Sequence, residues 1–238
     1  HQVSFVVTIT SRNGLDGGDA TVYSDQSTFL QRIARGRQLP TIISSDMELS
    51  NDYYWIAATN VLIEPGVVVT ITEGTQLQIG MPRPISTESR YIQVEGRLAV
   101  LGTPEQPVEI FPGGFEQCNW ATRHCKRARL VGLGELELSY TRIMHPSVDG
   151  ADRIDHIFAT SFSDYFSNWN LYSKSGEFTN SIVRTIGSRD SYQFSSAIPY
   201  RGNLFQNSGL YLISPIATGN VFIGPYDQVR RSLAWNAG

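Results

Sequence analysis

The chain reads as an all-β solenoid of short strands that turn a corner every few residues and stack circuit upon circuit. Three observations point there. Apolar residues alternate with period two in short runs: Val61 and Ile63, then Val67, Val69 and Ile71, then Leu77 and Ile79, with Ile92, Val94, Leu98, Val100, Val108 and Ile110 following. Such a period buries one face of each strand. Single Gly, Pro, Asn and Ser breaks separate the runs, where paired hairpin signals would mark antiparallel neighbours. Similar stretches also recur. Aligned on their expected buried centres, Ile143, Ile182, Leu204 and Val221, they are spaced by 39, 22 and 17 residues, the first close to two steps of about 20, a solenoid interval.

The elements follow in order. Residues 1–40 differ from the rest and read as a separate N-terminal region. Val3, Phe5, Val7 and Ile9 alternate in SFVVTIT and predict a strand, either paired within its own chain or added to a neighbour's exposed edge. A turn-rich loop comes next. Asp16, Asp19 and Asp25, among closely spaced Gly and Asn, are candidate oxygen ligands for Ca2+ but lack the EF-hand spacing, and a solvated turn is the alternative. Residues 27–38 predict a helix. Ser27 is its N-cap, Phe29, Leu30 and Ile33 share a face, and Gly36 with Pro40 ends it. This helix would cap the open sheet edge of the solenoid. Residues 41–238 are the solenoid itself, with an aromatic-rich insertion near 150–175. At about 21 residues per circuit, 41–228 makes about nine circuits, a stack of roughly 40 Å.

Composition bounds the function. The chain has 238 residues, 41% of them hydrophobic and 11% aromatic, which argues against disorder. A net charge of −3 excludes a general binder of nucleic acid or anionic membrane. No apolar run reaches the length of about 18 residues needed for a transmembrane helix. The sequence opens on His1 and moves at once into a strand. The expectation is a secreted protein, extracellular or at the cell surface, whose leader has been removed.

One phrase is more specific. Val94, Gly96, Leu98, Gly102, Thr103, Pro107, Val108 and Ile110 spell V-x-G-x-L-x-x-x-G-T-x-x-x-P-V-x-I, preceded by IEPGVVVTI. This segment resembles the repeat of right-handed parallel β-helix proteins, the pectate-lyase-like superfamily. The match is strong over residues 60–111 and weaker to about 224. The resemblance implies a right-handed parallel β-helix and secretion. The catalytic phrases of the polysaccharide-cleaving members (paired Asp with G-H-G and R-I-K, or R-x-P-x-x-R) do not occur. A non-catalytic member is therefore expected, and no catalytic residue is assigned. Fold alone does not fix function.

The remaining chemistry is sparse. Cys118 and Cys125 read as a disulfide closing a small loop, with free thiols as the alternative. A metal site there would have only His124 beside it. No two of the four His stand in a ligand pair. Asp149, Asp152, Asp155 and Asp164, with Arg153 and His156, are the one acid-rich stretch an enzyme could draw on. Tyr165, Phe166, Trp169 and Tyr172 form a candidate surface for a carbohydrate or a partner, or else pack inward. These readings favour an extracellular structural or adhesive module that assembles head to tail into a fibre, with a polysaccharide-active enzyme or a carbohydrate-binding module as alternatives. No cofactor is expected beyond Ca2+ at the N-terminal loop.

Overall fold

Buried side chains fall mostly at alternate positions along the strands, and the strands of each circuit lie over those of the circuit before. The computed structural model describes residues 35–81, 90–113, 127–161, 171–173, 176, 178–185, 191–192, 200–206, 209–210 and 217–223. The chain divides into two compact units, His1–Arg35 and Gly36–Gly238. All described residues but Arg35 belong to the second.

The strands follow in circuits. The first three circuits are β1 (Arg35–Gln38), β2 (Ile42–Ile43) and β3 (Met47–Leu49); β4 (Tyr53–Ala57), β5 (Val61–Ile63) and β6 (Val68–Ile71); and β7 (Gln76–Ile79), β8 (Tyr91–Val94) and β9 (Arg97–Leu101). Then come β10 (Val108–Pro112), β11 (Ala128–Gly132), β12 (Glu135–Met144), β13 (Pro146–Ala151), β14 (Arg153–Ser161) and β15 (Leu171–Ser173). The last are β16 (Phe178–Thr179), β17 (Ile182–Thr185), β18 (Ser191–Tyr192), β19 (Tyr200–Arg201), β20 (Leu204–Gln206), β21 (Gly209–Leu210), β22 (Ala217–Thr218) and β23 (Val221–Ile223).

They fall into three rows that the chain visits in rotation. The first row holds β1, β4, β7, β10, the second halves of β12 and β14, then β17, β20 and β23. The second holds β2, β5, β8, β11, β13 and β15, with β18 pairing β21 separately. The third holds β3, β6, β9, the first halves of β12 and β14, then β16, β19 and β22. The paired strands run parallel. Among the described residues all regular structure is strand. The helix expected at 27–38 is corrected over its last four residues, which form β1. Pairing with β4 wins over the local helical pattern: Leu39 N–H donates to Ile56 C=O at 2.8 Å, and the Arg37 guanidinium lies over the rings of Tyr53 and Trp55 at 5.2 and 5.1 Å.

The core is a set of ladders. In the first row Trp55, Leu77, Ile110, Ile143, Ala159, Val183 and Phe205 occupy successive rungs, all buried. In the third row Leu49, Ile71, Val100, Leu138, Ile154 and Phe178 do the same. In the second, Val61, Ile92, Leu130 and Val148 complete the interior. Each fully buried Val, Leu, Ile or Phe stabilises the fold by roughly 1.5–3 kcal/mol. The glycines of the Val94–Ile110 phrase have a steric reason. A side chain at Gly96 would sit 2.3 Å from Val67 C=O, and one on Gly134, one circuit later, 2.0 Å from Gly96 C=O. The second-to-third corner lets backbone touch backbone there.

The corner between third and first rows is built differently. Tyr140, His156 and Asn180 stack on consecutive circuits with φ of 44°, 50° and 50°, and Gly202 and Gly219 continue the column at 65° and 66°. One left-handed residue bends the strand without ending it, which is why β12 and β14 each span two rows. Just past the bend a polar ladder runs through the buried Ser181 and Asn203. Ser181 Oγ accepts from Ile157 N–H at 3.1 Å, Asn203 Oδ1 from Ser181 N–H at 2.9 Å, and Asn220 Oδ1 from Asn203 N–H at 3.0 Å. Each circuit thus satisfies backbone donors that the bend removes from the strand ladder.

Candidate functional site

Many of the residues singled out by sequence lie outside the described residues: Val3, Phe5, Val7, Ile9, Asp16, Asp19, Asp25, Cys118, Cys125, Asp164, Tyr165, Phe166 and Trp169. Tyr172 is in β15, where its backbone pairs with Asp149. The acids that crowd together in sequence are spread around the circuit. Asp149 is exposed on the second row. Asp152 sits at the second-to-third corner, where Oδ2 accepts from Leu136 N–H at 2.9 Å. Asp155 ends the third row, one residue before the bend at His156.

Asp155, Arg153 and His156 do come together. Asp155 is 7% exposed. Its Oδ1 accepts from Thr179 Oγ1 at 2.6 Å and from Asn180 Nδ2 at 3.1 Å, both on the next circuit. His156 Nδ1 lies 3.0 Å from the same oxygen, and Arg153 donates to Oδ2 at 3.3 Å. Burial pushes the carboxyl's pKa up. The hydrogen bonds from Thr179, His156 and Asn180, with the charge of His156, outweigh that and hold it below the usual value. The His156 ring stacks on Tyr140 from the previous circuit, centroids 4.4 Å apart and planes 18° apart. Three circuits are tied at this corner. A carboxylate so fully engaged is suited to clamping circuits together and poorly placed to take a substrate proton.

The other feature was only partly legible: the outward face of the first row. Tyr54, Gln76, Glu109, Arg142 and Phe158 stand on successive rungs, one per circuit. Tyr54 and Phe158 belong to aromatic-rich stretches of the sequence, Tyr53–Trp55 and Phe158–Tyr172. Gln76, Glu109 and Arg142 are dispersed in sequence and share no motif. Gln76 Nε2 donates to Glu109 Oε2 at 2.9 Å, and Arg142 Nη1 lies 3.5 Å from Glu109 Oε1. Tyr54 donates to Gln78 Oε1 at 2.7 Å, and burial pushes its phenol pKa up, which keeps that proton in place. The Tyr54 ring also meets Phe111, with centroids 5.9 Å apart. An open pocket of about 180 Å3 lies here, walled by Glu109, Phe111, Arg142, Met144, Phe158 and Thr160. It pairs aromatic and aliphatic walls with one ion pair of no net charge.

Among the described residues no three His, Cys, Asp or Glu side chains are grouped to hold a metal ion, and no helix is long and apolar enough to cross a membrane. Compared with models of known families, with curated proteins and with solved structures, the chain matches none.

Proposed function

We propose that the chain is an extracellular, non-enzymatic structural or adhesive module, built as a right-handed parallel β-helix and able to join copies of itself head to tail. The hand follows from a general rule: a strand, a crossover and a parallel strand are connected right-handed in about 98% of cases, because right-twisted strands pack back onto their sheet only that way. The Val94–Ile110 phrase, with its resemblance to the pectate-lyase-like superfamily, supports the same architecture.

The observation that carries the reading is the unbroken first-row ladder from Trp55 through Leu77, Ile110, Ile143, Ala159, Val183 and Phe205 to Phe222. Such a stack is a stiff spacer with a repetitive surface, each circuit needing only its neighbours to stand. On its last described strand, β23, Val221 and Ile223 are 53% and 52% exposed. Both lie on the outward face of the first row, so a second copy that covers this face of β23 would bury apolar surface, and a contact that does not close on itself propagates into a fibre. The engagement of Asp155 with four side chains lends little to an enzyme.

The test is negative-stain electron microscopy across a concentration series. Regular fibres, with an axial repeat near the length of one stack, are the expected result. Uniform single particles at every concentration would overturn self-assembly. Release of fragments from pectin or alginate above blank would overturn the non-enzymatic reading.

A further inference from the structure

We propose that the last circuits of the first row carry an apolar stripe through which two copies of this chain pack face to face, their stacks running in opposite directions. This deepens the self-assembling reading above and rests on it: the pairing closes on itself and joins two stacks, while growth at the ends lengthens each. Phe158, Ile182, Leu204 and Val221 stand on successive rungs of the outward column from β14 to β23, and Ile223 shares the outward face of β23. Phe158 and Ile182 are each 37% exposed, and Val221 and Ile223 just over half. Four rungs span about 15 Å at the spacing of paired strands. The stripe is a contiguous patch on the order of a few hundred Å2, a size that marks an interaction site on a soluble protein.

Period and symmetry decide the partner. No strand edge opens inside the stripe, because β17 pairs both β14 and β20, and β20 pairs β23. A partner must meet it through side chains and not as an added strand. A second copy presents the same apolar column at the same spacing of about 4.8 Å and so matches it rung for rung. A two-fold axis in such an interface lies along the stack or along the strands. The neighbouring outward column holds Thr160, Arg184, Gln206 and Ile223 on the same rungs. An axis along the stack lays that column over the first and buries Arg184 against apolar side chains, which costs the desolvation of a charge. An axis along the strands, between Ile182 and Leu204, reverses the stack and keeps each column over itself. Phe158 then faces Val221 of the second copy, Ile182 faces Leu204, and Arg184 faces the amide of Gln206. The area covered is below the roughly 1,200–2,000 Å2 of a standard interface. A single pair is therefore weak, and repetition along two growing stacks reinforces it.

The experiment is sedimentation velocity of the full chain across a concentration series below the onset of fibres. The native chain should pass from monomer to dimer as concentration rises. Ile182→Glu and Leu204→Arg should each weaken the dimer at least tenfold. An equimolar mixture of the two variants should restore it, because the new carboxylate on one chain faces the new guanidinium on the other. Phe158→Glu with Val221→Arg is a second such pair on the same face. An unchanged circular dichroism spectrum and urea midpoint would show that each variant folds. A native chain that stays monomeric at every concentration would leave the stripe to some other partner and overturn the proposal. So would variants that pair as well as the native chain, or mixtures no better than either variant alone. Native fibres only one stack wide would overturn the pairing and leave head-to-tail growth standing. Dimers restored by mixing, in a protein that never forms fibres, would support the pairing and overturn the fibre.

Discussion

Asp155 Oδ1 accepts a 2.6 Å hydrogen bond from Thr179 Oγ1, a residue one circuit further along the third row. The contact joins the bend at His156 to the bend at Asn180. Because the folded carboxyl titrates below its usual value despite burial, the folded state binds the proton less readily than the unfolded chain. The resulting stability is fully present above the ordinary carboxylate pKa of about 3.9. It drains away as pH falls through the lowered folded value. Asp155→Asn should therefore flatten the acid limb of the stability curve. Thr179→Val, which leaves the buried oxygen short of a donor, should cost about 1–3 kcal/mol at neutral pH in urea unfolding. An acid limb unaltered in Asp155→Asn would show that the carboxylate is not held this way.

His145 acts in a different pH window. It is fully buried at the turn from β12 into β13, with φ of 49°. Burial, and then the charge of Arg127, lower its pKa from 6.5 to about 4. The folded state keeps the imidazole neutral while the unfolded chain takes up a proton below 6.5. Stability should fall as pH drops from about 6.5 to about 4, by on the order of 3 kcal/mol. His145→Asn removes the titration and suits the backbone, since Asn is among the residues that tolerate left-handed φ. Thermal melts of the two proteins at pH 7, 5.5 and 4 measure the difference. Parallel losses would refute the assignment.

How much of this was written in the sequence depends on which contacts are local. The alternating runs from Val61 to Ile110 identified buried positions residue by residue. The repeat was found in the right period with one slip of face. Ile182, Leu204 and Val221 are consecutive rungs, yet they belong to the outward column that contains Arg142 and Phe158. Ile143 is inward and leads through Ala159 to Val183. A one-residue shift reverses the face of a strand, and apolar residues on both faces of β17 and β20 hide the shift. The end of the expected helix became β1 because its pairing partner, β4, lies well downstream of it. The outward column was hidden for the same reason: Tyr54, Gln76, Glu109, Arg142 and Phe158 lie 22, 33, 33 and 16 residues apart. Unequal corner loops destroy any fixed spacing, and only the register of the stack puts these residues in one line. The cluster of acids around Asp155 was visible, but its partners Thr179 and Asn180 are a full circuit away.

Asn203 offers the sharpest check on that register. It is 1% exposed and makes contacts in two directions. Oδ1 accepts from Ser181 N–H and Nδ2 donates to Phe178 C=O at 2.9 Å, both on the circuit before, while Nδ2 also donates to Asn220 Oδ1 at 2.9 Å on the circuit after. Leucine has similar bulk and neither polar atom. Asn203→Leu would leave the buried Ser181 N–H without its acceptor, and Phe178 C=O would lose a donor, at about 1–3 kcal/mol for each group left unsatisfied. The damage should be local, because circuits in a stack depend mainly on their neighbours. Hydrogen exchange should show faster exchange at the Ser181 amide and the strands around it, with Leu77 and Ile110 little altered. An amide at Ser181 that stays as protected in Asn203→Leu as in the native chain would mean that Asn203 does not stack on Ser181. The register from β16 to β23 would then have to be redrawn.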